Sequence, residues 1–109
     1  MNEITTHVLD TVLGKPASGI LVILERRVND QWTAVGKGVT DLDGRCRDLT
    51  KNSESGIYRL TFETGDYLSR QGRSTIYPEV AIVFECTGDA HYHLPLLLSD
   101  NCFTTYRGS

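Results

Sequence analysis

The chain lacks any apolar run long enough to cross a bilayer. No uninterrupted hydrophobic stretch is longer than Ile20–Leu24, against roughly 20 residues for a spanning helix. It also lacks a basic run longer than the pair Arg26-Arg27, and its formal net charge is −3. Nucleic-acid binding rests on clustered cations that neutralise phosphates, so neither membrane nor nucleic acid is an expected partner. Cysteine is scarce and odd in number: Cys46, Cys86 and Cys102 show no C-x-x-C spacing. Reduced, structural thiols are the expectation, as in a reducing compartment, and Cys86, ending an apolar run, reads as a small buried hydrophobe. A charged n-region followed by an apolar h-region is missing from the N-terminus, and Arg107-Gly108-Ser109 is not an address of the Ser-Lys-Leu type. The expected location is the cytoplasm.

What is present is the composition of an ordinary globule, with 39% hydrophobic and 23% charged residues in 109. That length fits one domain, 1–109, and leaves no room for a second. A domain of this size buries only about two thirds of its unfolded surface, so association with further copies would help it. Short β-like runs alternate with turn signals: Ile4–Asp10, Ile20–Val28, Gln31–Thr40, a short run near Arg45–Leu49, Ile57–Thr64, Val80–Thr87, His91–Ser99 and Cys102–Arg107. Gly14-Lys15-Pro16 reads as a turn, Asn29-Asp30 as a hairpin signal, Asp41–Gly44 as another turn and Lys51–Gly56 as a polar loop. Asp66–Gln71, with Thr64 as a possible cap, predicts one or two helical turns. The fold class is therefore all-β, a sandwich or barrel of seven to eight strands with one short helix.

Strand alternation sets the faces, because successive side chains point to opposite sides. Tyr58, Leu60 and Phe62 form one apolar face, and Tyr92, Leu94, Leu96 and Leu98 another. The opposite parity of His91–Leu98 carries His91, His93, Pro95 and Leu97; in the first strand Thr5, His7 and Leu9 oppose Ile4, Thr6 and Val8. His7 and His93 thus project away from the core, beside apolar residues that a lone monomer would expose. A partly apolar outer face of this kind suggests cover by another subunit.

His91-Tyr92-His93 on a strand puts two imidazoles on one side, a pattern that suits zinc. No Cys, Asp or Glu stands at ligand spacing to complete such a site, and three surface histidines would give the same pattern. Arg45, after a tight turn, can grip a planar ligand bidentately. Arg47 shares its parity, and local pattern does not choose between them. The tail Tyr106-Arg107-Gly108-Ser109 would, on composition alone, be a frayed terminus.

Taken together, Thr6-His7-Val8-Leu9-Asp10, Asp43-Gly44-Arg45, Gly65-Asp66-Tyr67, the run from His91 to Leu97 and the tail Tyr106–Ser109 closely resemble the transthyretin-like 5-hydroxyisourate hydrolases of urate breakdown. The motifs occur in that family's order over nearly the whole chain. The resemblance implies a transthyretin-like sandwich of two sheets and a homotetramer built as a dimer of dimers. It implies hydrolysis of a cyclic amide, 5-hydroxyisourate, with no metal and no cofactor. It assigns catalysis to His7, Arg45 and His93, and substrate binding to Tyr106, Arg107, Gly108 and Ser109. His91 is left without a role, and which histidine is the general base stays open. A transthyretin-like carrier of an aromatic ligand would need neither the histidine pair nor the tail. An immunoglobulin-like module would place a Trp between two bridged cysteines, whereas Trp32 precedes all three.

Overall fold

Alternating buried and half-buried residues shape the first long strand, β1 (Asn2–Asp10), in which Ile4, Thr6, Val8 and Asp10 turn inward. The computed structural model describes residues 2–109; Met1 and the side chains of Asp48 and Lys51 lie outside that description. The chain continues through β2 (Lys15–Pro16), β3 (Leu21–Val28), β4 (Gln31–Val39), β5 (Arg45–Ser53), β6 (Gly56–Phe62), α1 (Thr64–Ser69), β7 (Val80–Cys86), β8 (His91–Leu98) and β9 (Phe103–Thr105). One sheet has the order β2-β1-β8-β9, with β5 also paired to β1, and the other the order β4-β3-β6-β7. Every pairing is antiparallel except β1 with β8. The sheets bury between them Ile4, Val8, Val22, Leu24, Tyr58, Leu60, Phe62, Leu94 and Leu96.

The two apolar faces read from alternation are the core faces. The Asn29-Asp30 hairpin is also present, with both residues at positive φ, 53° and 63°, as the mirror-image turn favoured between twisted strands requires. Elsewhere the structure differs from the pattern. Lys15–Pro16, read as a turn, forms two ladder pairs with the end of β1. The run near Arg45–Leu49 continues through the expected polar loop to Ser53, because Asn2 and Ile4 of β1 supply partners for it. Thr64 is not a cap: it is the first helical residue, its Oγ1 is buried without a hydrogen-bond partner, and the N-cap position falls to Glu63. Pro95, expected to be exposed in a monomer, is buried under the chain's own tail.

A charged cluster ties the helix region to the sheets. Arg73 (13% exposed) donates to both oxygens of fully buried Asp10 and to Asp100 at 2.6–3.2 Å. The Tyr67 hydroxyl donates to Asp10 at 2.8 Å. Burial alone would raise the Asp10 carboxyl, but hydrogen bonds from Arg73, the Leu13 N–H and Tyr67 outweigh it and hold the group at about 2.

Candidate active site

The parallel pairing of β1 and β8 brings the histidines together. Glu3 lies opposite His91, Thr5 opposite His93 and His7 opposite Pro95, so all the odd residues share the outer face. The Thr5 hydroxyl stands between two imidazoles, 2.8 Å from His93 Nδ1 and 2.8 Å from His91 Nε2. Glu3 Oε1 lies 3.9 Å from His91 Nε2. His93 is half-buried, and burial together with the charges of Arg45, His91 and His7 pushes its pKa below the ordinary histidine value. This surrounding favours the neutral ring.

The turn before β5 places the next groups. Asp41 accepts the N–H groups of Asp43 and Arg45 at 2.9 and 3.0 Å on one carboxylate oxygen. Gly44 adopts φ +76°, and a Cβ there would fall 2.3 Å from the Val8 carbonyl, so the turn seats against β1 only with glycine. Through it the Asp43 carbonyl accepts a hydrogen bond from His7 Nε2 at 2.7 Å. A carbonyl can only accept, so neutral His7 carries its proton on Nε2 and keeps Nδ1 as its basic nitrogen. Arg45 pairs in register with His7. Arg47 is engaged by Asp41 at 3.4 Å and Asp43 at 3.8 Å, whereas no carboxylate among the described residues holds Arg45. That difference, invisible to strand parity, leaves the Arg45 guanidinium available to a ligand.

The tail is ordered by backbone contact. The Gly108 N–H donates to the His93 carbonyl at 2.7 Å, a bridge that lays the chain end along β8. A Cβ on Gly108 would come within 2.8 Å of His93 Cδ2, so glycine is what permits the approach. The Arg107 guanidinium stacks 4.3 Å over the Tyr92 ring, and Tyr106 is exposed.

These elements enclose an open cleft of about 480 Å³ lined by Glu3, Thr5, Thr6, Arg45, Cys46, Arg47, His91, His93 and Ser109. Of the residues that the resemblance assigns to catalysis and substrate binding, Arg45, His93 and Ser109 meet there. His7 flanks the cleft without lining it, near enough for its charge to act on His93. Gly108 clamps the backbone of His93, and Tyr106 and Arg107 lie outside the cleft of a single chain. Thr5, which the sequence reading passed over, holds two of the imidazoles; its parity with His7 was the available signal. Among the described residues no three His, Cys, Asp or Glu side chains form a metal-ligand set. The Arg45 guanidinium and the His93 imidazole suit a small polar ligand rich in carbonyl groups, and the imidazoles can move protons to and from it.

The HIUase/Transthyretin family model matches residues 4–108. The 5-hydroxyisourate hydrolase of Salmonella typhimurium is 41% identical over 111 residues, covering 99% of this chain and 82% of that protein. The structure of Klebsiella pneumoniae 5-hydroxyisourate hydrolase superposes with a TM-score of 0.90 at 35% identity, covering the whole of both chains. Sparus aurata transthyretin superposes with a TM-score of 0.92 at 32% identity, over 96% of this chain and 95% of that one. The backbone thus fits enzyme and transthyretin alike, and with a match from residue 4 to residue 108 the chain belongs to the HIUase/Transthyretin family.

Proposed function

We propose that the chain is a 5-hydroxyisourate hydrolase, which opens the ring of that cyclic amide to 2-oxo-4-hydroxy-4-carboxy-5-ureidoimidazoline in urate breakdown. The observation that carries this reading is the meeting of His93, Arg45 and Ser109 in one cleft, in a chain whose relatives bear the hydrolase name. A carrier would have no use for a neutral imidazole set beside an uncompensated guanidinium, and the transthyretin-like carrier is the weaker reading.

Amide hydrolysis needs an activated water, a site for the developing oxyanion and a proton for the departing nitrogen. His7 offers Nδ1 as base toward water, and Arg45 offers preorganised positive charge to the ring carbonyls and the oxyanion. Ser109 positions substrate or water. Tyr106 joins the site from a neighbouring copy, while Arg107 and Gly108 hold the tail in place. The working form is a homotetramer, a dimer of dimers made of one domain per chain, acting in the cytoplasm without metal or cofactor. Apolar Leu9 and Leu97, half-buried and paired on the face that carries the histidines, support an assembly that covers this face.

The test is direct. Purified protein is mixed with freshly generated 5-hydroxyisourate, and the ultraviolet decay is followed against the spontaneous rate. Acceleration proportional to protein concentration is expected; decay at the spontaneous rate overturns the reading.

A further inference from the structure

The Thr5 hydroxyl has one proton to give and two imidazole nitrogens at hydrogen-bond distance, both at 2.8 Å. A hydroxyl can donate to one of them while accepting from the other. Glu3 lies beside His91 Nε2, 3.9 Å away, and its negative charge favours a proton on that nitrogen. His91 Nε2 then donates to Thr5, and Thr5 donates to His93 Nδ1. The remaining ring nitrogen of His93, Nε2, must carry the proton of the neutral ring, and it is the nitrogen left for a ligand. We propose that Thr5 and His91 are positioning residues that hold His93 in the tautomer protonated on Nε2, so that His93 meets the substrate as a donor.

This rests on the hydrolase reading and deepens it, because it divides the labour between the histidines. His7, tied through Nε2 to the Asp43 carbonyl, keeps a basic nitrogen, whereas His93 presents an N–H. The two imidazoles meet different partners: a backbone carbonyl fixes one and a shared hydroxyl the other. Protonating His93 on Nδ1 would turn the Thr5 proton away and leave two N–H groups facing one oxygen. The arrangement therefore resists the imidazolium. Arg45, Cys46 and Arg47 from β5, His7 and Glu3 from β1 and His91 from β8 are the charged or titratable groups of the packed strands that share the cleft with this ring or act on it.

The experiment has two arms. In the first, long-range proton–nitrogen spectra of protein labelled with ¹⁵N-histidine are recorded near pH 7.5 without substrate. Neutral His93 should show its proton on Nε2, with Nδ1 as a hydrogen-bonded acceptor that loses this signature in Thr5→Ala. A proton on Nδ1, or a spectrum unchanged in Thr5→Ala, overturns the proposal. In the second arm, pH–rate profiles are measured for Thr5→Ala, Thr5→Ser and His91→Gln. Thr5→Ala should lower kcat by about tenfold, a fraction of what a general acid–base group supplies, and Thr5→Ser should recover most of that loss. The pH at which His93 takes up its second proton, followed in the same nitrogen spectra, should move upward in Thr5→Ala and His91→Gln, since each loses something that disfavours charged His93. A drop in rate with that titration unmoved would mark Thr5 as merely structural and overturn the proposal. Failure of wild-type protein to hydrolyse 5-hydroxyisourate would sink the hydrolase reading instead, and the spectra, taken without substrate, still decide the tautomer.

Discussion

At the residue scale the proposed chemistry depends on nitrogen atoms whose protonation is set by neighbours rather than by solvent. His7→Ala and His93→Ala should each lower turnover by about 10²-fold or more, the share typical of a general acid–base group, while circular dichroism stays that of the wild type. Wild-type turnover in either variant would remove that histidine from the mechanism. The cysteines form an internal control on burial. Cys86 is fully buried and its thiol is pushed up to about 11, whereas Cys102 is exposed. Since the thiolate is the reactive form, iodoacetamide at neutral pH should label Cys102 and spare Cys86 in native protein, as peptide mass mapping would show.

At the scale of elements, two connections tie distant parts of the chain together. The tail lies along β8 only because Gly108 has no side chain to meet the His93 ring, with Pro95 Cγ a further 3.4 Å contact for any Cβ. Gly108→Val should displace Ser109 from the cleft and lower kcat/KM by about tenfold or more, because small misplacements of a positioning group are costly. An unchanged kcat/KM would deny the tail its role. The second connection is the Asp10–Arg73–Asp100 cluster. Arg73→Met leaves a buried carboxylate without its partner and should cost about 3 kcal/mol in chemical denaturation. Asp10 titrates at about 2 against 3.8 unperturbed. A carboxyl depressed in the folded state stabilises above its unfolded pKa and loses that contribution as pH falls toward the folded one. The cluster should therefore contribute about 2 kcal/mol above pH 4, lost between about pH 4 and 2. In Arg73→Met that acid-dependent part of the unfolding profile should largely vanish.

At the scale of the whole molecule, β9 and β7 each end one side of a sheet, as β4 and the strands β2 and β5 end the other sides, and unpaired edges are surfaces that invite pairing. Together with the half-buried leucines of the outer face, they favour the proposed assembly. Light scattering at micromolar concentration should give four times the 12.2 kDa chain mass, and a monomer that remains fully active would remove the shared site. Dialysis against a chelator should leave activity unchanged. A loss that added zinc restores would return His91 and His93 to the role of metal ligands.

Much of the architecture was readable in the order of residues alone. Period-two alternation in Ile57–Glu63 and His91–Leu98 determined which faces are buried, because a strand offers its side chains only two directions. The Asn29-Asp30 hairpin was equally local. What the sequence could not decide was anything that depends on a partner far along the chain. Lys15–Pro16 and the extension of β5 to Ser53 exist because β1 offers them backbone groups, and Thr64 yields its capping position to the packing around α1. That carboxylates hold Arg47 and not Arg45 follows from where Asp41 and Asp43 point, and the contacts of Thr5 from two imidazoles 86 and 88 residues away. Alternation is a property of a single strand, whereas hydrogen bonds between strands belong to the register, and only the folded chain sets that.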